Sequence, residues 1–154
     1  MNLKDALMEL AHQTGLPIAL SEHGTAQLLF DQRLAVNLEA SGNQGVYLYA
    51  VLGPLLSDQR EAMYAMLLEG QLFGQETGLA SFGLDSTRGE LLLHRYLDLS
   101  RIEYSDFILA LDDFIERHAY WLDRLASTLP SRPPAPAPGN EPPEPYLANF
   151  AIRV

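Results

Sequence analysis

The glycine-punctuated stretch Leu67–Leu84, LLEGQLFGQETGLASFGL, is the first place where residue types and spacing invite a chemical reading. Glycines at 70, 74 and 78 suggest a loop that cradles phosphate. Such a loop follows a strand and opens a helix, so that free amides at the helix start meet the anion. Here the order is reversed. A helical apolar run, with Ala62, Met63, Met66 and Leu67 at helical spacing, comes first; the glycines break the register; Ala80, Phe82 and Leu84 then alternate as in a strand. No Gly-Lys-Ser/Thr occurs, and Gly78 with Ser81 misses the spacing of a nucleophile elbow. The second candidate is Asp112, Asp113, Glu116 and His118. A carboxylate metal site on a helix takes Glu-x-x-His. Glu116 and His118 are two apart and fall on different faces, so the group reads as a solvated helix face. His12, His23, His94 and His118 show no ligand pairing; His94 and Asp98 have helical spacing but lie in a strand-like run. With no cysteine there is no thiolate ligand, thiol nucleophile or disulfide. No polar constellation emerges for an enzyme, and the expectation is no catalytic residue, no metal and no cofactor.

The elements around these residues belong to a chain of 154 residues, 47% apolar, which suits one domain with its own core. Twenty acidic residues against ten basic ones give a net charge of −10, and Lys4 is the single lysine. Nucleic acid and anionic membrane surfaces need positive charge, so both are disfavoured as partners. MNLKDALMEL reads as an amphipathic helix with internal charges rather than a signal peptide. No apolar run reaches the length of a membrane span, so no membrane insertion is expected and the expected location is a cytoplasm.

In chain order, Asn2 caps a first helix whose stripe is Leu3, Ala6, Leu7, Leu10 and Ala11, ended by Gly15 and Pro17. Strands follow at 26–30 and 33–39, joined at Asp31-Gln32, and a third at 46–52 after the loop SGNQG. The third strand is apolar on both faces, as for a sheet covered on both sides or an oligomer contact. Ser57 is placed as N-cap of a second helix over 58–68. Strands at 79–85 and 90–97 flank the turn DSTRG, and a third helix runs from the capping-box pattern Ser100-x-x-Glu103 to Leu129. The order α-β-β-β-α-β-β-α, without long crossovers among the first three strands, predicts an α+β fold on a twisted antiparallel sheet. Residues 130–145 hold eight of the ten prolines and read as a linker. Residues 146–154 are apolar again, with Ala148, Phe150, Ile152 and Val154 alternating, so they suit a strand at a sheet edge.

Across residues 1–129 this order and its motifs resemble the class I type III secretion chaperones, the Tir chaperone (CesT) family. The matching residues are Leu10, Gly15-Leu16-Pro17, Leu28-x-Phe30-Asp31, Leu67-Leu68-x-x-Gln71-Leu72-Phe73, Thr77-Gly78 and Phe82-Gly83-Leu84-Asp85. Gly89-Glu90-Leu91-x-Leu93, Tyr96-Leu97 and Phe107 through Phe114 to Trp121 continue the likeness. Gln71 stands where the family usually has Asn. The resemblance implies a cytoplasmic bacterial homodimer that holds the extended N-terminal segment of a secreted effector protein in an export-competent state. The secretion apparatus would be a further partner, and no nucleotide, metal or catalytic residue is required.

On that resemblance the dimer contact falls on the second helix, the bend and the following strand, with Met63, Met66, Leu67, Leu72, Phe73, Phe82 and Leu84 as its residues. Met63, Tyr64 and Met66 then serve an interface more than a plain core. The effector segment is expected against the first helix and first two strands, at Leu7, Leu10, Ile18, Leu29, Phe30, Leu34 and Val36, some of which must be core. Free strand edges also suit addition of an extended peptide. Two other readings stand beside this one: a regulatory protein of the same fold acting through partner binding, and a small α+β ligand-binding domain or enzyme.

Overall fold

The computed structural model describes residues 1–128 and the backbone of a two-residue strand, Ala151–Ile152. The expected linker at 130–145, and residues 146–150, 153 and 154 of the final segment, lie outside the described residues. The observed order is α1 (Leu3–Thr14), β1 (Thr25–Phe30), β2 (Leu34–Ser41), β3 (Gly45–Pro54), α2 (Arg60–Gln71), a 3-10 turn (Leu72–Gly74), β4 (Ser81–Asp85), β5 (Glu90–Asp98), α3 (Tyr104–Thr128) and β6 (Ala151–Ile152). The sheet order is β4-β5-β3-β2-β1-β6. The first five strands pair antiparallel, and β6 lies parallel to β1.

Local chemistry sets the element ends. The Asn2 side chain accepts the Asp5 amide at 3.0 Å, and Gly15, at φ 70°, donates its own amide to Ala11 O at 2.9 Å. Positive φ without a Cβ penalty is what that left-handed helix end requires. The second helix is corrected at both ends. It runs Arg60–Gln71 rather than 58–68, and its N-cap position is Gln59, which makes no side-chain cap bond. Gly70 therefore lies inside α2 and does not break it. A Cβ there would collide with the ring of Trp121, so the glycine serves close packing of α2 against α3. α3 begins at Tyr104, and the reciprocal contact at its start is between the Glu103 amide and Asp106 Oδ2, 3.0 Å apart. Ser100 instead bonds Asp98. β4 begins at Ser81, two residues later than the alternation suggested.

One sheet face carries the core. Val36 and Leu38 of β2, Val46, Leu48 and Ala50 of β3, and Leu91 and Leu93 of β5 point to it. α3 covers β2, β3 and β5 with Phe107, Phe114 and Trp121, all fully buried. The stripe of α1, with Leu3, Ala6, Leu7 and Leu10, joins the same cluster. Each buried Val, Leu or Phe side chain among these contributes roughly 1.5–3 kcal/mol relative to exposure, and the alanines less. The opposite face is open. Tyr47, Val51 and Tyr96 are exposed on it, with the rings of Tyr47 and Tyr96 5.1 Å apart. The double-sided apolar character of β3 thus reflects one buried and one bare face.

Candidate functional site

The residues singled out for chemistry resolve into structural pairs. Asp113 accepts from Arg95 at 3.0 Å and from Arg117 at 3.4 Å, which ties α3 to β5. Burial, with Glu116 nearby, raises the pKa of Asp112. His118 is not on a solvated face. It is buried, with Nε2 3.2 Å from Val51 O, and since a carbonyl only accepts, Nε2 carries the proton. Its Nδ1 has no partner, and burial pushes its pKa below the ordinary value, with Arg33 adding to that and the Val51 bond opposing it. Asp98 is held below its ordinary pKa by hydrogen bonds from Ser100. Among the described residues no group of three His, Asp or Glu side chains is placed to hold a metal ion.

What the fold does build is a bend that exposes apolar side chains. Gln71, the last residue of α2, organises it. Its Nε2 donates to Thr77 Oγ1 and Ala80 O, both at 3.2 Å, and its Oε1 accepts the Phe82 amide at 2.9 Å. One amide side chain thus joins the helix end, the bend and the first turn of β4. Helix α3 clamps the bend from behind. Trp121 Nε1 donates to Glu76 O at 3.1 Å, Arg124 pairs with the Glu76 carboxylate, and the Arg124 guanidinium sits 4.9 Å from the Trp121 ring centre. Gly78, at φ 61°, lets the chain pass close to Asp113.

The bend held in this way presents apolar side chains to solvent. Phe73 is 93% exposed and sits at φ 54°, a conformation that bulky residues avoid. Leu79 is 77% and Leu68 71% exposed, and Leu72 and Leu84 are also exposed. Leu68 and Leu84 line an apolar groove of about 310 Å³, together with Tyr64, Leu67, Phe82 and Leu91. Exposed single leucines are ordinary, but several around one bend, two of them lining an apolar groove, make a candidate contact surface.

The residues expected at the dimer contact divide. Leu72, Phe73 and Leu84 are exposed and Phe82 is half-buried, whereas Met63, Met66 and Leu67 are buried in the core. The methionines fill space under α2 because the helix is covered along its 63–66–67–70 stripe. Leu68 joins the exposed set; in the sequence it is an apolar residue just off that stripe. Of the residues expected to meet an effector, Leu7, Leu10, Ile18, Phe30, Leu34 and Val36 are core, and Leu29 alone is half-buried. Alternation decides this: Phe30 points to the helices and Leu29 to the open face.

A helix–sheet–helix α+β fold with an exposed apolar bend and an open sheet face defines a protein-binding module. The sequence model of the Tir chaperone protein (CesT) family matches residues 5–122, and the chain belongs to that family. A Chlamydia pneumoniae protein, CPj0713/CpB0740, is 28% identical over 109 residues, 70% of this chain and 82% of that protein. Two solved structures share the fold. A chain of the ExsC–ExsE complex has TM-score 0.64 and 23% identity, over 80% of this chain and 96% of that one. A chain of the heterodimeric ExoU–SpcU complex from the type III secretion system of Pseudomonas aeruginosa has TM-score 0.62 and 19% identity, over 83% and 98%. The family is one of secretion chaperones, not a family of enzymes.

Proposed function

We propose that the protein is a type III secretion chaperone that acts in the bacterial cytoplasm as a homodimer and keeps the N-terminal segment of an effector competent for export. The observation that carries this is the rigidly held, solvent-facing cluster Leu68, Leu72, Phe73, Leu79 and Leu84 beside an apolar groove. A second copy fits it best. A two-fold contact brings the same patch from both sides, so Phe73 of each copy enters the groove of the other. The effector segment then uses what the dimer leaves free: Leu29 at the β1 side and the open face with Tyr47, Val51 and Tyr96. A surface of exposed apolar rings suits an extended segment that must be released again. The acidic balance keeps such a carrier soluble.

Light scattering on the purified protein tests the dimer, with an expected mass twice the 17.1 kDa of one chain. Leu68→Asp and Leu84→Asp are expected to halve that mass while leaving the fold intact. Calorimetric titration with the N-terminal segment of a type III effector from the same genome tests the chaperone role. A strongly negative heat-capacity change is expected, because apolar surface is buried as the segment orders. A change near zero removes this mode of binding.

A further inference from the structure

β1 would be the bare outer strand of the antiparallel sheet if β6 did not lie beside it. Ala151 stands opposite Leu29 and Ile152 opposite Phe30, in parallel. A bare edge strand presents unpaired amides and carbonyls to any extended chain. We propose that the outer edge of β1 is a strand-accepting site whose resident occupant is the chain's own C-terminal segment, held there through Ala151 and Ile152 in competition with extended peptides. The regulatory meaning rests on the chaperone reading; the occupancy itself does not.

Three features support this occupant. The first is how the sequence is divided. Residues 130–145 carry eight prolines, which leaves few amides to pair and suits an extended linker more than a strand. Residues 146–154 contain no proline, and Ala148, Phe150, Ile152 and Val154 alternate as a strand requires. The second is connection. A segment that leaves the end of α3 needs length to come back to the β1 edge, and each extended residue adds about 3.1 Å. Twenty-two residues, 129–150, separate Thr128 at the end of α3 from Ala151. The third is charge. In a chain of net −10, residues 146–154 hold no Asp or Glu and one arginine, Arg153, so this stretch is spared the general repulsion.

Among the described residues the pairing comprises Leu29 with Ala151 and Phe30 with Ile152. Tethering makes it effective. A tail held at a local concentration of about 1 mM weakens a competitor several-fold once its own dissociation constant lies a few-fold below that concentration. The edge is thereby shielded from unwanted strand pairing, yet open to a longer client that also uses the sheet face.

The test uses the full chain carrying Ile152→Pro, which removes the strand amide, with Ile152→Val as the conservative control. A fluorescent synthetic peptide of sequence YLANFAIRV serves as the probe. The proline variant is expected to bind it several-fold more tightly than the unaltered chain and the valine variant. Amide exchange in β1 at 28–30 is expected to quicken in the proline variant, while Leu48 and Ala50 of β3 stay protected. In the unaltered chain β1 protection is expected not to change with protein concentration. Equal peptide affinity, or equal β1 exchange, overturns the proposal. Protection that fades on dilution assigns the strand to a second copy and overturns the intramolecular occupant. None of these readouts needs an effector. A chain that fails to bind effector segments but shows these results refutes the chaperone reading and leaves the edge occupancy standing.

Discussion

Replacing Phe73 with glycine separates the contact surface from the fold. The ring is 93% exposed, so its loss removes almost no packing within the chain. Its backbone stands at φ 54°. A left-handed conformation costs a non-glycine residue about 1–2 kcal/mol, and glycine avoids that cost. Glycine also has more freedom to lose on folding, about 0.5–1 kcal/mol. The two effects oppose each other, and the stability of the isolated chain is expected to change by no more than about 1 kcal/mol. The proposed dimer has no such compensation. Burying one phenylalanine is worth about 1.5–3 kcal/mol, and two-fold symmetry counts it twice. A loss of about 3–6 kcal/mol raises the dimer dissociation constant by about 10²- to 10⁴-fold. Sedimentation equilibrium over a concentration series measures that constant. Urea unfolding at several protein concentrations supplies the second reading, because dimerisation makes the midpoint concentration-dependent. The midpoint of the unaltered protein is expected to rise with concentration, and that of Phe73→Gly to stay constant. An unchanged dissociation constant refutes the role of the ring. A loss of more than about 2 kcal/mol in the monomer refutes the claim that Phe73 contributes nothing to its own chain.

Gln71→Ala is expected to cost about 1–3 kcal/mol in urea unfolding, because the Phe82 amide, Thr77 hydroxyl and Ala80 carbonyl lose their shared partner. Gly70→Ala forces the Trp121 ring off α2 and is expected to cost about 1–3 kcal/mol. Trp121 is the single tryptophan, so its emission maximum should shift in that variant and not in Gly74→Ala, where a Cβ meets open space. His118 sets a pH dependence. Burial lowers its pKa in the folded state below 6.5, so the unfolded chain takes up the proton first as pH falls. This contribution to stability is full above the unfolded value and declines as pH drops through it towards the folded value. Urea midpoints from pH 8 to 5.5 are expected to fall in the unaltered protein and to fall less in His118→Gln.

Sequence pattern carried the architecture well wherever one side of an element meets the core. The stripe of α1, the alternation of β2 and the long run of α3 each encode their burial directly, and the order of eight elements follows from them. Gly70 shows where pattern misleads. A glycine near a helix end ordinarily marks a stop, but here the cause is Trp121, fifty-one residues away in sequence and in contact in space. His118 is a different case. It stands on the helical stripe Phe114–His118–Trp121–Leu125, so its burial follows from periodicity, and what the sequence hides is its partner, the β3 carbonyl of Val51. Gln71 was visible as an oddity of residue type, while its three bonds across the bend depend on where β4 returns.

The contact surface was half legible for a related reason. Apolar residues on α2 and in the bend look alike in sequence, yet Met63, Met66 and Leu67 face inward while Leu68, Leu72 and Phe73 face out. Periodicity separates the two groups only when the helix is known to continue to Gln71, because its end sets which face Leu72 and Phe73 take. The side chains that no neighbour in the chain accounts for are thus concentrated just past the helix, on a backbone held by Gln71, Glu76 and Trp121. A phenylalanine at φ 54° does not favour a lone chain, which would gain from glycine at position 73. In the proposed dimer it would favour the pair, because the backbone that carries the ring is already fixed and less freedom is lost on binding. That asymmetry, unfavourable alone and favourable in company, is what Phe73→Gly measures.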